Sequence, residues 1–259
     1  MAQARIGISG WTYKPWRGEF YPKGLRQKDE LSWASRQLTS IEVNGSFYAL
    51  QKPESYRAWA AATPDDFVFS VKGSRFITHM KKLAGVEQAL TTFFESGVYE
   101  LGPKLGPVLW QLPPNLGFDA DRLSAFFDLL PRTVPATGAP LRHAMEVRHD
   151  SFKVPAFPEL LRQHEIALVT ADTAGKWPFF DELTADFAYA RLHGSEELYV
   201  SGYDPPAIRA WAQRVRAWLG AGRDTFVYFD NDVKVRAPFD ARALAAELGV
   251  GPAAQAVTS

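Results

Sequence analysis

The chain has 259 residues, of which 46% are hydrophobic and 14% aromatic, enough for a full core in one large domain or two small ones. Its 29 basic and 29 acidic side chains give a formal net charge of zero, which argues against broad, sequence-independent nucleic-acid binding but leaves a local basic groove open. The absence of cysteine excludes disulfides, thiolate metal sites and cysteine nucleophiles. The N-terminal residues lack a leader pattern and no apolar run reaches about 18 residues, so we expect a soluble, cytoplasmic protein that does not engage a membrane.

Eight short apolar runs recur along the chain and predict β-strands. They cover residues 5–9, 40–44, 67–72, 106–112, 143–148, 166–172, 187–193 and 225–230. Helical patterns lie between them. Residues 118–131 and 204–222 carry apolar residues at helical spacing, with Asp119 or Asp121 as the N-cap of the first helix and Asp204 as that of the second. The segment 173–186 is too short for a full crossover helix.

The alternation of strands and helices predicts parallel strand pairing. Eight such units in about 250 residues predict an α/β protein with a (β/α)₈ TIM-like barrel, and the unit between the sixth and seventh strands is shortened. An open doubly wound sheet is the rival architecture, but no G-x-G-x-x-G motif follows the first strand. We therefore expect one barrel domain over residues 1–250 and a C-terminal tail over residues 251–259.

Side chains alternate along a strand, so each barrel strand has one set that faces the helices and one that faces the axis. We expect the purely apolar set of each strand to pack against the helices. This leaves hydrophilic side chains facing the axis near the C-terminal strand ends, where barrel sites gather. The inward residues are then Ser9, Glu42, Asn44, Ser70, Lys72, Gln111, Glu146, Arg148, Thr170, Asp172, Arg191, His193, Tyr228 and Asp230.

A charged ring follows from this inward set. Its acidic members are Glu42, Glu146, Asp172 and Asp230, and its basic members are Lys72, Arg148 and Arg191, joined by His193. Because a buried unpaired charge is costly, these groups must pair with each other or with a ligand. One interpretation is a site at the barrel mouth; the alternative is a self-satisfied ion network that only stabilises the barrel.

Sequence motifs with a wider resemblance run nearly from end to end of the chain. They are GISGWTYKPWRGEFYP (7–22), SIEVNGSFYAL (40–50), WAAATPDDFVFSVKGSRFITHMKKL (59–83), LGPVLWQLPP (105–114), EVRHDSF (146–152), FAYARLHG (187–194) and VYFDN (227–231). Together they resemble the domain-of-unknown-function family 72, also called YecE-like proteins. The resemblance implies a barrel related to (β/α)₈ and supplies no established reaction. Fold similarity alone relates such barrels to endonuclease-IV-like nucleic-acid enzymes. Phe152 departs from the tryptophan expected in many relatives, which concerns packing more than charge.

A divalent metal site is one alternative function, because residues of ligand type are plentiful near the predicted ring. They are Glu42, His79, Glu146, His149, Asp172, His193 and Asp230. Against this, three cations in the same ring would repel a divalent ion, and no H-x-H or H-E-x-x-H pair occurs. A glycosidase is a second alternative, with Glu42 and Glu146 facing each other across the barrel. No cofactor fingerprint occurs, so no cofactor is predicted.

The leading hypothesis is a hydrolase or lyase that acts on an anionic, phosphate-bearing small molecule or a nucleic-acid end. Arg148, Arg191 and Lys72 would bind the anion, and Glu146, Asp172 and His193 would move protons. The remaining predicted substrate contacts are Glu42, Asn44, Gln111, His149, Asp230 and Asn231. The rival of a different class is a non-catalytic barrel that only binds its ligand, and the oligomeric state stays open.

Overall fold

The computed structural model describes residues 1–251, and within them eight parallel strands close into a barrel in chain order. The strands are β1 (Ala4–Ser9), β2 (Ser40–Val43), β3 (Val68–Lys72), β4 (Leu105–Gln111), β5 (His143–Glu146), β6 (Ala167–Asp172), β7 (Phe187–Leu192) and β8 (Asp224–Phe229). The predicted (β/α)₈ barrel is therefore confirmed, and each predicted strand boundary lies within two residues of the observed one. Of the predicted tail, residues 252–259 lie outside the described residues.

Helices pack around the outside of the barrel. They are α1 (Glu30–Ala34), α2 (Gly45–Tyr48), α3 (Pro53–Ala62), α4 (Glu87–Glu95), α5 (Ala120–Asp128), α6 (Ala156–Gln163), α7 (Pro205–Gly220) and α8 (Ala237–Leu248). Two N-caps follow the sequence prediction: the Asp119 carboxylate accepts from Arg122 N at 3.0 Å, and the Asp204 carboxylate accepts from Ala207 N at 2.8 Å. No helix within residues 1–251 is long and apolar enough to cross a membrane.

The connection from β6 to β7 contains no helix in this described part of the chain, as its length predicts. Its end is instead fixed by one side chain. Thr184 Oγ1 accepts a hydrogen bond from Leu168 N at 2.8 Å and donates one to Ile166 O at 2.6 Å. Phe180 of the same segment packs against Phe157 of α6, with 6.0 Å between the ring centroids. Side chains from the loop therefore cover the outer face of β6 where other units place a helix.

The barrel interior is filled by its own apolar cluster, separate from the larger cluster between strands and helices. Its buried members are Leu109, Ala144, Ala167, Val169, Ala171, Phe187, Tyr189, Phe226 and Tyr228. The hydroxyls of Tyr189 and Tyr228 lie 2.7 Å from Ser70 Oγ and Ser40 Oγ respectively, so their polar ends are satisfied. This plug closes the barrel below the C-terminal strand ends, and the charged side chains lie above it.

The side of β6 that faces the interior is the reverse of the predicted one. We expected Thr170 and Asp172 to point to the axis, but Val169 and Ala171 pack in the interior cluster instead. That prediction is wrong because large aromatic rings from β7 and β8 fill the barrel. The space left opposite them accepts only small apolar side chains from β6. The polar side chains of β6 consequently point outward.

Candidate functional site

Arg191 is the centre of the charged ring. It comes from β7, and its side chain is entirely buried. Its guanidinium carries five N–H donors. Nε donates to Glu42 Oε2 (3.1 Å), Nη1 to Glu146 Oε2 (2.7 Å) and His193 Nε2 (3.3 Å), and Nη2 to Glu42 Oε1 (2.8 Å) and Asp230 Oδ2 (2.9 Å). These protein contacts engage all five donors. The geometry therefore gives Arg191 an organising role and leaves no donor for the anion that the sequence hypothesis assigned to it.

Glu42 joins several strands through its two carboxylate oxygens. Besides the two bonds from Arg191, Oε1 accepts from Ser9 Oγ at 2.9 Å and Oε2 from Tyr189 OH at 2.6 Å. Burial and the nearby negative charge of Glu42 raise the pKa of Tyr189 well above its ordinary value, so its hydroxyl stays protonated and donates. Glu42 is fully buried, and its contacts hold Arg191 in position at the base of the ring.

Glu146 and Asp230 are both ionised in the ring. Burial by itself raises the pKa of Glu146, but the positive charges of Arg148 and Arg191 outweigh it and hold this pKa well below the usual range. Burial likewise raises the pKa of Asp230, while Arg191 and the contact with His193 bring it down to about 2. Carboxylates held in this way stabilise their cationic neighbours and are poor groups for taking up protons near neutral pH.

His193 is a neutral, enclosed member of the ring. Its Nε2 faces Arg191, which can only donate, so the ring proton belongs on Nδ1, 3.1 Å from Asp230 Oδ2. Burial and the charge of Arg191 lower the pKa of His193, and the side chain has no solvent exposure. Both ring nitrogens therefore face protein groups, and this geometry does not favour the predicted proton-transfer role.

Arg148 presents a different geometry from Arg191. Its Nε donates to Glu146 Oε1 at 2.7 Å, and its Cζ lies 3.8 Å from the ring centroid of Trp177, in a cation–π contact. Its side chain is 10% exposed. Among residues 1–251, no acceptor is within hydrogen-bond geometry of Nη1 or Nη2. The guanidinium is thus held on one edge and one face, with its two outer nitrogens available to a ligand.

Lys72, at the end of β3, is the second cation with free donors. The residue is 8% exposed, and Nζ lies 4.4 Å from the ring centroid of Phe47. No hydrogen bond or ion pair joins Nζ to any other described residue. Burial and the charge of Arg191 lower the pKa of Lys72 to about 8. The amine consequently changes charge within a pH range where most lysines stay protonated.

His79 lies beside both of these cations. Its ring packs edge-on against Phe47, with 5.0 Å between centroids, and its Nδ1 is 2.9 Å from Thr78 Oγ1. Partial burial, followed by the charges of Lys72 and Arg148, lowers the pKa of His79 to about 4. A neutral imidazole therefore borders the positive part of the mouth at neutral pH.

Two predicted site residues lie outside the ring. Asp172, on the outer side of β6, accepts from Tyr203 OH at 3.1 Å and is not bonded to Arg191. Asn231 is fully buried, and its Nδ2 donates to Ser201 O at 2.9 Å and to Asp240 Oδ2 at 2.8 Å. Asn231 thereby ties the loop after β8 to α8. The expected position of Asp172 in the ring is therefore wrong, while its catalytic role and the substrate contact of Asn231 stay predictions.

The other predicted substrate contacts have mixed placements. His149 Nδ1 accepts from Ser151 N at 3.1 Å, so this ring caps the short turn Asp150–Phe152. Gln111 does lie at the strand end beside Glu146, but its Nε2 donates to Leu112 O at 2.9 Å. Asn44 has a buried Oδ1 without a hydrogen-bond partner in the described chain. Of these three residues, Asn44 alone retains such an unpartnered buried atom.

Asp232 is a titratable residue next to the ring member Asp230 that the sequence reasoning did not name. It follows Asp230 by two positions in the loop after β8, and its backbone carbonyl accepts from Trp16 Nε1 at 3.4 Å. Burial and the negative charge of Asp230 raise the pKa of Asp232 to about 6. The DND run at residues 230–232 was the available signal, since a second carboxylate so near the first must feel its charge.

The carboxylates of the ring do not converge on a common empty point. Glu42, Glu146 and Asp230 direct their oxygens at the Arg191 guanidinium. Throughout the described residues, no group of three or more His, Asp or Glu side chains is arranged to hold a metal ion. The donor set therefore fits an arginine, with its matching hydrogen bonds, better than a divalent cation.

Solved structures of other proteins share this fold. A DUF72 family protein from Thermotoga maritima superposes with a TM-score of 0.81 at 25% sequence identity, over 95% of this chain and 99% of that chain. A DUF72 family protein from Enterococcus faecalis gives a TM-score of 0.81 at 18% identity, over 96% of each chain. The second of these likenesses concerns the fold alone.

Sequence relatives give the same assignment. The Escherichia coli K12 protein named UPF0759 protein YecE is 30% identical over 148 residues, which cover 57% of this chain and 49% of that protein. The chain thus spans about half the length of the curated relatives it matches. A family model described as "Protein of unknown function DUF72" matches residues 5–258. By this match over nearly its whole length, the chain belongs to the DUF72 family, whose description assigns no activity.

Proposed function

We propose that this barrel is an enzyme that binds a small phosphate- or carboxylate-bearing molecule between Arg148 and Lys72 and carries out a hydrolase or lyase reaction on it. The observation that carries the proposal is that the Arg148 guanidinium is fixed in position but has two nitrogens without a partner in residues 1–251. Glu146 and Trp177 fix its position, while both outer nitrogens have no acceptor among the described residues. A planar, pre-positioned fork of this kind matches the two oxygens of a carboxylate or phosphate.

The different surroundings of Arg191 and Arg148 support an anion site at Arg148. Arg191 neutralises buried carboxylates and is enclosed, so it supplies rigidity below the site. Arg148 and Lys72 lie at the rim, where a ligand can reach them. Lys72 Nζ has no direct anionic partner among the described residues, and a bound anion would place a negative charge beside it. An anion should therefore favour the protonated form of Lys72 and raise its pKa above the value of about 8.

Proton transfer in this proposal moves from the residues expected from the sequence to Asp232. Glu146 has a pKa well below the usual range, His193 is enclosed, and Asp172 points away from the ring. Asp232 has a pKa of about 6, which makes it mostly ionised yet readily protonated near neutral pH. Asp232 takes the role of general base in this proposal because it follows the ring carboxylate Asp230 by two positions, lies near enough to feel its charge, and has a pKa close to the working pH.

Sulfate titration tests the binding step, because sulfate keeps its charge across the pH range of the experiment. We expect sulfate to stabilise the folded protein against heat and Arg148→Met to weaken its binding at least about tenfold, or about 1.4 kcal/mol. Arg148→Lys should recover only part of this loss, because an ammonium lacks the fork. Sulfate affinity of the natural protein should fall as the pH rises through about 8, and this fall should vanish in Lys72→Met.

Arg214→Lys is the matched control for the arginine variants. Arg214 also combines a carboxylate with an aromatic face: Nε and Nη2 each lie 2.9 Å from Asp181, and Cζ is 5.4 Å from the Phe179 ring centroid. It lies on α7 outside the mouth, so its replacement should leave sulfate affinity unchanged. Equal sulfate affinity in Arg148→Met and the natural protein would remove the basis of the proposed site.

Ligand binding without turnover is the second candidate function, and the enclosure of the inner ring favours it, since the Arg191 donors are engaged by protein groups and the His193 side chain has no solvent exposure. The Asp232→Asn variant separates the two candidates. An enzyme should lose turnover of phosphate esters or hydroxy acids in a substrate screen while its sulfate affinity stays within about twofold. A protein that turns over none of these compounds before or after the substitution, yet binds sulfate, fits the binding function.

A further inference from the structure

Two buried lysines of the described chain are treated oppositely by the fold. Lys72 and Lys104 are each 8% exposed. Lys104 Nζ donates to Ala60 O at 2.6 Å, to Thr63 O at 2.8 Å and to Thr63 Oγ1 at 3.3 Å. Lys72 Nζ has none of these contacts to residues 1–251 and faces an aromatic ring. Lys72 Nζ is not among the buried side-chain atoms of the described residues that lack a partner, so solvent reaches it at the barrel mouth, and the amine is available to a ligand.

The backbone that carries Lys72 is held firmly. Lys72 O accepts from Ser46 Oγ at 2.7 Å, and the next residue, Gly73, donates its N–H to Leu109 O at 2.8 Å. A Cβ at Gly73 would lie 2.3 Å from the Trp110 ring, so the chain packs tightly here. A side chain that is unpaired while its main chain is fixed on both sides is positioned for a partner from solvent.

The surroundings also keep part of the amine in its neutral form. Burial and Arg191 lower the pKa of Lys72 to about 8, so about a tenth of the amine is neutral at pH 7. The aromatic face of Phe47 offers the ammonium only weak compensation for lost water. A neutral, partly enclosed amine is the nucleophilic form of lysine in covalent catalysis.

We propose that Lys72 Nζ forms an imine with the carbonyl carbon of a small oxo acid whose carboxylate is bound by the outer nitrogens of Arg148. This inference rests on the proposed function and narrows it to lyase chemistry on 2-oxo carboxylates. The amine lone pair attacks the carbonyl carbon and gives a carbinolamine. The carbon–oxygen bond then breaks, the oxygen leaves as water with the two amine hydrogens, and a carbon–nitrogen double bond remains.

This chemistry keeps the charge balance of the mouth. The imine nitrogen then takes up one proton from solvent. The protonated imine carries the same positive charge as the Lys72 ammonium, so Glu146 and Asp230 still face a cation. It also draws electrons from the neighbouring carbon, so a bond broken at that carbon leaves its electron pair in an enamine. Arg148 fixes the acid end of the substrate, which orients the carbonyl carbon toward one amine. An oxo acid therefore fits the pair of rim cations better than a simple phosphate.

Reductive trapping tests the proposal. The full chain is incubated with pyruvate and sodium cyanoborohydride, and adducts are measured by intact mass and peptide mapping. We expect one main adduct at Lys72, with several-fold lower labelling of the buried Lys104 and the exposed Lys176. Lys72→Arg should abolish the main adduct while still binding sulfate, because a guanidinium keeps the charge and forms no stable imine. Labelling spread evenly over the lysines would overturn the proposal.

Small-molecule controls distinguish imine formation at Lys72 from anion binding at Arg148. Lactate has the carboxylate without the carbonyl and should compete with pyruvate without forming an adduct. Acetone has the carbonyl without the carboxylate, so its trapping should be weaker and insensitive to Arg148→Met, whereas pyruvate trapping should fall at least fivefold in that variant. Sulfate binding without any Lys72 adduct overturns the imine and leaves the proposed function standing. Absence of both sulfate binding and labelling overturns both.

Discussion

Replacement of Lys72 by Met should stabilise the folded protein at neutral pH, and the gain should disappear in alkaline solution. The perturbation removes an amine whose Nζ has no direct partner among the described residues, while a flexible apolar side chain of similar length fills its place. Folding lowers the pKa of Lys72 from 10.5 to about 8. At about 1.4 kcal/mol per pKa unit, this difference corresponds to about 3 kcal/mol of unfavourable free energy below pH 8.

The sign of the pH dependence follows from proton binding. Between about pH 8 and 10.5 the unfolded chain binds a proton at Lys72 that the folded chain has lost, so the natural protein gains stability as the pH rises. Below pH 8 both states are protonated and the full penalty applies. The stability difference between Lys72→Met and the natural protein should therefore be largest at pH 7 and should shrink by about 3 kcal/mol toward pH 10.5.

Urea unfolding at a series of pH values between 7 and 10.5 measures this difference directly. Lys104→Met is the matched control, because it removes a lysine of equal burial that satisfies oxygens of Ala60 and Thr63. That variant should lose about 1–3 kcal/mol at neutral pH, since buried acceptors lose their donor. If Lys72→Met were less stable than the natural protein at pH 7, or if the difference did not change with pH, the inference that burial and Arg191 disfavour the Lys72 ammonium would be refuted.

Three further substitutions test the support of the site. Arg191→Met should cost about 3–5 kcal/mol at pH 7 in urea unfolding, because it leaves several buried carboxylates uncompensated, and part of the loss should be recovered toward pH 4 as they protonate. Asp172→Ala should cost about 1–2 kcal/mol through the lost bond from Tyr203 but leave sulfate affinity unchanged; a clear loss of affinity would return this residue to the site. Gly7→Ala should lower stability by at least about 2 kcal/mol in thermal unfolding, because a Cβ there would lie 1.9 Å from Ser40 O; a neutral result would show that β1 and β2 can separate at little cost.

The fold and the location of the charged groups follow from the sequence. Alternating apolar runs and helix signals predict eight parallel units. Glu42, Glu146 and Arg191 lie near the carboxyl-terminal ends of their strands, which places charge at one end of the barrel. These features are local or repeat along the chain, so alternation and spacing suffice to read them. The same rule failed at β6, because its interior face depends on the size of side chains from other strands.

The partners of each charge were decided by tertiary structure alone. The sequence gives Arg148 and Arg191 the same chemistry, yet one is enclosed by acceptors and the other keeps two nitrogens free. It likewise does not distinguish Lys72, whose Nζ has no partner among residues 1–251, from Lys104, whose Nζ donates to Ala60 O and Thr63 O. Such differences arise from distances between residues far apart in the chain. Electrostatic energy and desolvation depend on those distances and on burial, and only the closed barrel sets both.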